Sequence, residues 1–205
     1  MDFLPLLFYF IIIIPSAIMH EFAHGWMADR LGDPTARYAG RLTLDPRVHI
    51  DKIGTLFLPL ALFFMTGGSF MFAYAKPVPY NPYNLRDQRL GSMWVAIAGP
   101  VANFLLALVF ALFIRFMPGN AISPFLSIIV YANIVLGVFN LVPIPPLDGS
   151  KILYAVLPPS LDNVRATLER YGFVFLLVFI FFFSNWISPI VQAIYRLFTG
   201  GVVLF

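Results

Sequence analysis

Cysteine is absent from the chain, which excludes disulfides, iron–sulfur clusters and thiolate catalysis. Charge is scarce: Asp, Glu, Lys and Arg make up 11% of the 205 residues, and apolar residues 60%. A soluble domain carries about 25% charged residues, so this composition points to a polytopic membrane protein lying in a lipid bilayer. Histidine occurs three times, at His20, His24 and His49. Any metal must therefore be held by these, by carboxylates or by Asn. No Lys or Arg precedes Arg30; the apolar N-terminus thus lacks the basic start of a signal peptide and reads as a retained span. The small net charge of +3 sits in loops and speaks for membrane orientation, with no nucleic-acid partner implied. No linker, low-complexity tract or internal repeat divides the sequence. One integral-membrane domain is expected over residues 1–205, with its core at 3–151 and a C-terminal helical segment at 171–198.

Five apolar stretches are present, at residues 3–28, 53–75, 92–116, 123–142 and 171–198. Each is long enough to cross a hydrocarbon core of ~30 Å, which takes ~20 helical residues. The last could divide in two around Ser184 and Asn185. Residues 32–52 alternate weakly and suggest a short, hairpin-like, membrane-associated loop. The expected fold class is an all-α polytopic membrane protein with that loop added.

The first stretch runs into His20-Glu21-Phe22-Ala23-His24. In a helix, residues four apart share a face, so two imidazoles can grip one metal while Glu21 stands beside it as a general base; this HExxH spacing is a zinc-protease signature. Ionisable side chains in a membrane span are costly and point to function by default. A zinc site needs a third protein ligand. His49 is one candidate, and the carboxylates are the others. Asp148 is the best placed of them, because Pro143, Pro145 and Pro146 break the helix before it and Gly149 permits an unusual turn. Broken backbone at membrane depth is tolerated where it lines a wet cavity.

Depth then constrains topology. If all five stretches crossed, HExxH and Asp148 would lie at opposite faces, ~20–30 Å apart, whereas zinc–ligand bonds are ~2 Å. One intervening stretch must enter and leave on the same side. The stretch at 53–75 is the best candidate, since it contains Pro59 and Thr66-Gly67-Gly68-Ser69 and ends at Lys76-Pro77. With it re-entrant, eleven of the thirteen basic residues fall inside, leaving Arg115 and Arg196 outside. Four spans, one re-entrant element and outward-facing termini are therefore expected.

The residues HEFAHGW at 20–26, Gly99-Pro100-Val101-Ala102-Asn103, Ala75-Lys76-Pro77-Val78-Pro79-Tyr80-Asn81-Pro82 and NLVPIPPLDG at 140–149 resemble the site-2 protease family of intramembrane zinc metalloproteases, in its small prokaryotic branch. The resemblance runs from Ile11 to about Lys151. It implies one Zn2+ per chain on His20, His24 and Asp148, with Glu21 as base. It implies a site role for Asn140, holding substrate backbone or the developing oxyanion. The implied substrate is a transmembrane helix of another protein, cut near its cytosolic end in the inner membrane of a prokaryotic cell. Members often carry PDZ or CBS domains; this sequence has room for neither, so the regulatory apparatus is expected to be missing or to lie on a separate protein. Asn103 is expected to serve helix packing, His49 to be a loop residue, and Lys76 and Tyr80 to be interfacial anchors or a substrate gate. A catalytically idle scaffold for membrane helices and, lower, a metal transporter are the competing readings. Oligomeric state is not encoded legibly.

Overall fold

The computed structural model describes residues 3–65, 75–117 and 121–201. Every regular element among them is helical. The long first helix, α1 (Phe3–Arg30), is followed by two single turns, α2 (Thr35–Tyr38) and α3 (Pro46–His49). A π-helical turn at Lys52–Phe57 leads into α4 (Leu58–Met65). Beyond a 3-10 turn at Pro82–Asn84 come α5 (Gln88–Phe116), α6 (Ser123–Asn140), α7 (Asp148–Val156), α8 (Asp162–Val178) and α9 (Ile187–Thr199).

Among the described residues, three helical stretches are long and apolar enough to cross a membrane: Gln88–Phe116, Ser123–Asn140 and Asp162–Thr199. The last comprises α8 and α9, joined without a gap by a π turn at Phe179–Phe183 and a 3-10 turn at Ser184–Trp186. Ser184 thus changes the helix type where a division was expected, and the helix begins at Asp162, earlier than residue 171. α1 is 28 residues long and lies antiparallel to α5, as bonds from His24 to Val95 and from Asn103 to Ser16 require. At the far end of the bundle, α5 presents Ala107 and Ala111, fully buried and one helical turn apart, to α6 and α9. Small residues at this spacing allow close helix approach in membranes. Ile134, Val191 and Tyr195 fill the space, and the Tyr195 hydroxyl donates to Ser127 Oγ at 3.0 Å.

The hairpin expected at 32–52 is absent; no strand occurs among the described residues. Local capping explains the difference. Asp45 accepts from Arg47 N with Pro46 at the first helical position, which starts α3 within the alternating stretch. The following excursion, 50–75, closes on itself: Lys76 N donates to His49 O at 2.9 Å. A straight crossing would leave its ends far apart, whereas here they meet. Residues 66–74, the far part of the expected re-entrant element, lie outside the described residues.

One carboxylate ties the end of α1 to the approach to α5. Asp33, fully buried, accepts from Asn81 N at 2.6 Å, Asn84 Nδ2 at 2.8 Å, Thr35 N at 3.2 Å and the Thr35 hydroxyl. Burial pushes its pKa up, but the bonds from Thr35, Asn84 and Asn81 outweigh it and hold the carboxyl below its ordinary range. A carboxyl with a lowered native pKa contributes stability above its unfolded value of ~3.9 and loses it as pH falls through the native value. Asp33→Ala is therefore expected to destabilise the protein at neutral pH by roughly 2 kcal/mol. Thermal melts in detergent from pH 7 down to pH 3 should show the gap between native chain and variant shrinking as the solution is acidified. A gap that widens instead would contradict the assignment.

Candidate metal centre

His20 and His24 stand one turn apart on α1, and both rings face the start of α7. His20 Nε2 lies 3.0 Å and His24 Nε2 3.1 Å from the same oxygen, Asp148 Oδ2. All three side chains are buried. Space for the rings comes from α5: a Cβ on Gly99 would lie 2.5 Å from His24 Cε1 and Nε2 and 2.7 Å from His20 Cε1. Asp148 arrives through the Pro-rich turn after α6, in which the Pro145–Pro146 bond is cis. Gly149 is required there for close approach, since a Cβ would come within 2.3 Å of Leu141 O and 2.4 Å of Val142 O. It has no positive φ, so the unusual turn expected of it is not the reason for glycine.

The backs of the two imidazoles decide what the fronts can do. His20 Nδ1 donates to Asn103 Oδ1 at 2.6 Å, and His24 Nδ1 donates to Val95 O at 2.7 Å. Pro100 lies within α5 and has no N–H to give the carbonyl of Ala96, the residue after Val95. With each proton held at Nδ1, the two Nε2 lone pairs and a carboxylate oxygen converge on one point. Protonating both Nε2 atoms instead would bury two imidazolium ions against one carboxylate, a costly surplus of charge. A cation resolves the convergence. Tetrahedral zinc with bonds of ~2.0–2.1 Å sets ligand atoms about 3.4 Å apart, close to the observed 3.0 and 3.1 Å. Among the described residues this is the only group of three or more His and carboxylate side chains arranged to hold a metal.

Asn103, expected to serve packing, is the partner that orients His20. Its orientation is itself fixed, because Nδ2 donates to Asn133 Oδ1 at 3.0 Å and to Ser16 O at 3.3 Å. Asn133 in turn donates to Ser16 Oγ at 2.9 Å and Ile129 O at 2.9 Å. This polar network joins α1, α5 and α6 and was not singled out from sequence. Its signal is visible afterwards: Ser16, Asn103 and Asn133 are polar residues in long apolar runs. Glu21, beside the histidines, accepts from Val78 N at 2.8 Å through Oε2. Lys151, one turn beyond Asp148, places Nζ 3.7 Å from Asp148 Oδ1.

Other candidates lie elsewhere. His49 is buried in α3, where its Nε2 bonds to Thr43 O at 2.7 Å, and it does not join the metal cluster. Asn140 ends α6 with Nδ2 donating to Leu136 O at 2.9 Å, within its own helix. Lys76 acts through its backbone, and Tyr80 packs against the cluster of Ala28, Leu85 and Val95.

Comparison with known proteins gives a consistent picture. The model of peptidase family M50 matches residues 8–121 and 117–179. The "Putative zinc metalloprotease YwhC" of Bacillus subtilis is 38% identical over 181 residues, covering 83% of this chain and 78% of the relative. The "Putative zinc metalloprotease Rip2" of Mycobacterium tuberculosis is 31% identical over 201 residues, 92% of this chain and 76% of the relative. The "Zinc metalloprotease MJ0392" of Methanocaldococcus jannaschii is 28% identical over 159 residues, covering 77% of this chain and 37% of the relative. No solved structure matches.

Partners behind a metal-binding histidine are worth about 10–100-fold in metal affinity. Asn103→Ala should weaken zinc binding by that factor in a competition titration with a chelator, and Asn133→Ala by less. Equal affinity in Asn103→Ala and the native chain would show that another contact orients His20.

Proposed function

The chain belongs to peptidase family M50, the site-2 proteases, and from that membership together with the convergence of His20, His24 and Asp148 we propose that it is an intramembrane endopeptidase that cuts transmembrane segments of other membrane proteins. That it is a zinc metalloprotease follows from the family and its relatives. The observation that supports an intramembrane site is the placement of three buried metal-ready side chains, with a glutamate alongside, among helices apolar enough to span a bilayer. An idle scaffold would have no use for the Nδ1 partners that hold both imidazoles in one tautomer, and a transporter would have no use for Glu21.

His20, His24 and Asp148 are the proposed zinc ligands, one ion per chain. Zinc so held supplies Lewis acidity, bringing bound water to a pKa of ~7 and polarising a carbonyl. Glu21 accepts the proton of the attacking water as its oxygen bonds to the scissile carbonyl carbon. When the C–N bond breaks, Glu21 returns that proton to the leaving amine nitrogen. Asn140 is proposed to steady the substrate backbone or the oxyanion; its Nδ2 gives one hydrogen to Leu136 O and has a second to offer. A substrate helix has its amides internally bonded, so it must unwind locally before it is cut. No strand occurs at 32–52, so that segment offers no sheet edge to pair with an unwound substrate.

In the proposed topology α1 is the fourth span, and the 50–75 excursion enters and leaves by the cytosolic side. The histidines then lie toward the cytosol of a prokaryotic cell, and the lysines and arginines divide eleven to two across the membrane. Regulation by a separate protein is part of this reading.

Glu21→Gln keeps the side chain's size and removes the base. With a labelled transmembrane peptide in detergent, the native chain should cleave, while the variant should bind zinc and lose activity by at least about 100-fold. A variant that cuts normally would sink the role of Glu21. Topology is open to test because the chain has no cysteine of its own. Single cysteines at Tyr38, Tyr83 and Asp162 should react with a membrane-impermeant maleimide only from the cytosolic side, and one at Ala121 only from outside. Labelling of Tyr38→Cys and Tyr83→Cys from opposite sides would refute the re-entrant path.

A further inference from the structure

The segment Lys76-Pro77-Val78-Pro79-Tyr80 leaves one backbone N–H, that of Val78, between two residues that have none. Pro79 disfavours helical backbone at Val78, and the segment is without regular structure. Its single inner donor goes to Glu21 Oε2 at 2.8 Å. The surroundings hold this strap at both ends. Lys76 N donates to His49 O at 2.9 Å. Arg41, itself buried, donates through Nη2 to Lys76 O at 2.7 Å and reaches Pro77 O at 3.4 Å. Asn81 N donates to Asp33 Oδ2 at 2.6 Å. Between these anchors the Val78 side chain is buried over Gly25, where a Cβ would come within 2.9 Å of Val78 Cγ1. On the other side, Lys151 Nζ lies 5.2 Å from the Tyr80 ring centroid and 3.7 Å from Asp148 Oδ1.

We propose that Val78 is a positioning residue for the general base: its backbone N–H fixes one oxygen of Glu21, so that the other, Oε1, is the oxygen presented to the attacking water. The inference rests on the reading of Glu21 as base given above. A glutamate has three side-chain torsions, and an unheld carboxylate would sample many orientations, few of them productive. A backbone donor to a carboxylate is a strong, charge-assisted bond. It moves only if the strap moves, and Arg41, His49 and Asp33 prevent that. The flanking prolines remove competing donors and stiffen the backbone that carries the remaining one. Residues 76–81 are thus part of the catalytic centre, acting through main chain rather than side chains.

Val78→Pro deletes this donor and suits extended backbone, whereas Val78→Ala keeps it and trims the side chain. With zinc-loaded full-length protein in detergent and a labelled transmembrane peptide, Val78→Pro should lower kcat by about 10–100-fold. KM should stay within about threefold and zinc content should be unchanged. Val78→Ala should retain kcat within about threefold. A merely structural strap would give both variants the same defect, and that result overturns the proposal. So does full or raised kcat in Val78→Pro, the latter marking the strap as a latch that shuts the site. If Val78→Pro fails to fold, Arg41→Met, which frees Lys76 O, should give a smaller kcat loss with zinc retained, and unchanged kcat there refutes the idea. Glu21→Gln measured alongside separates the two levels. An active Glu21→Gln defeats the base reading itself, whereas an inert Glu21→Gln beside a fully active Val78→Pro defeats only the positioning.

Discussion

Two imidazoles and a carboxylate buried against one another are tolerable only if something neutralises their converging lone pairs. The rest of the molecule can be read as what makes that convergence possible. The rings are held from behind by Asn103 and Val95, which leaves their forward nitrogens turned toward Asp148 in an arrangement that could hold a cation. Room for them comes from the missing side chain of Gly99. The carboxylate reaches them because prolines end α6 and because Gly149 lets the chain pass against Leu141 and Val142. Each of these is a local concession, a lost side chain or a lost hydrogen bond, made in a region where backbone irregularity is expensive unless protein surrounds it.

The parts legible in the sequence were those written as spacing and composition. HExxH puts two histidines on one helical face whatever the tertiary structure, and a scarcity of charge points to the membrane class. Asp148 was reachable because prolines and glycine punctuate an apolar run. What stayed hidden depended on partners distant in sequence. Asn103 meets His20 across 83 positions, and nothing local distinguishes an orienting amide from a packing one. Val78 contributes a backbone atom, so its residue type announces nothing; its neighbours' lack of N–H groups is the only written trace. The loop at 32–52 misled because weak alternation imitates a strand, while Asp45 and Pro46 quietly specify a helical start. Asn140, by contrast, is legible as a motif position, yet its amide is engaged within its own helix.

Loops carry more of the centre's geometry than the helix count suggests. Arg41, His49 and Asp33 sit in the segment between α1 and the excursion at 50–75, and each binds backbone in the strap. The excursion's two ends are therefore fastened beside the glutamate. Lys151 and Tyr80 complete the connection on the Asp148 side.

The order in which the ligands are synthesised gives the network behind the histidines a second use. α1, with its two histidines and a glutamate, is made long before Asp148. The partners that can shelter it are those that follow next in the chain, and α5 is the first long helix to do so. Val95 and Asn103 occupy the Nδ1 atoms of the two rings. In chain order the contacts that hold both imidazoles from behind are therefore complete in α1 and α5, before the carboxylate of α7 is added to the sequence.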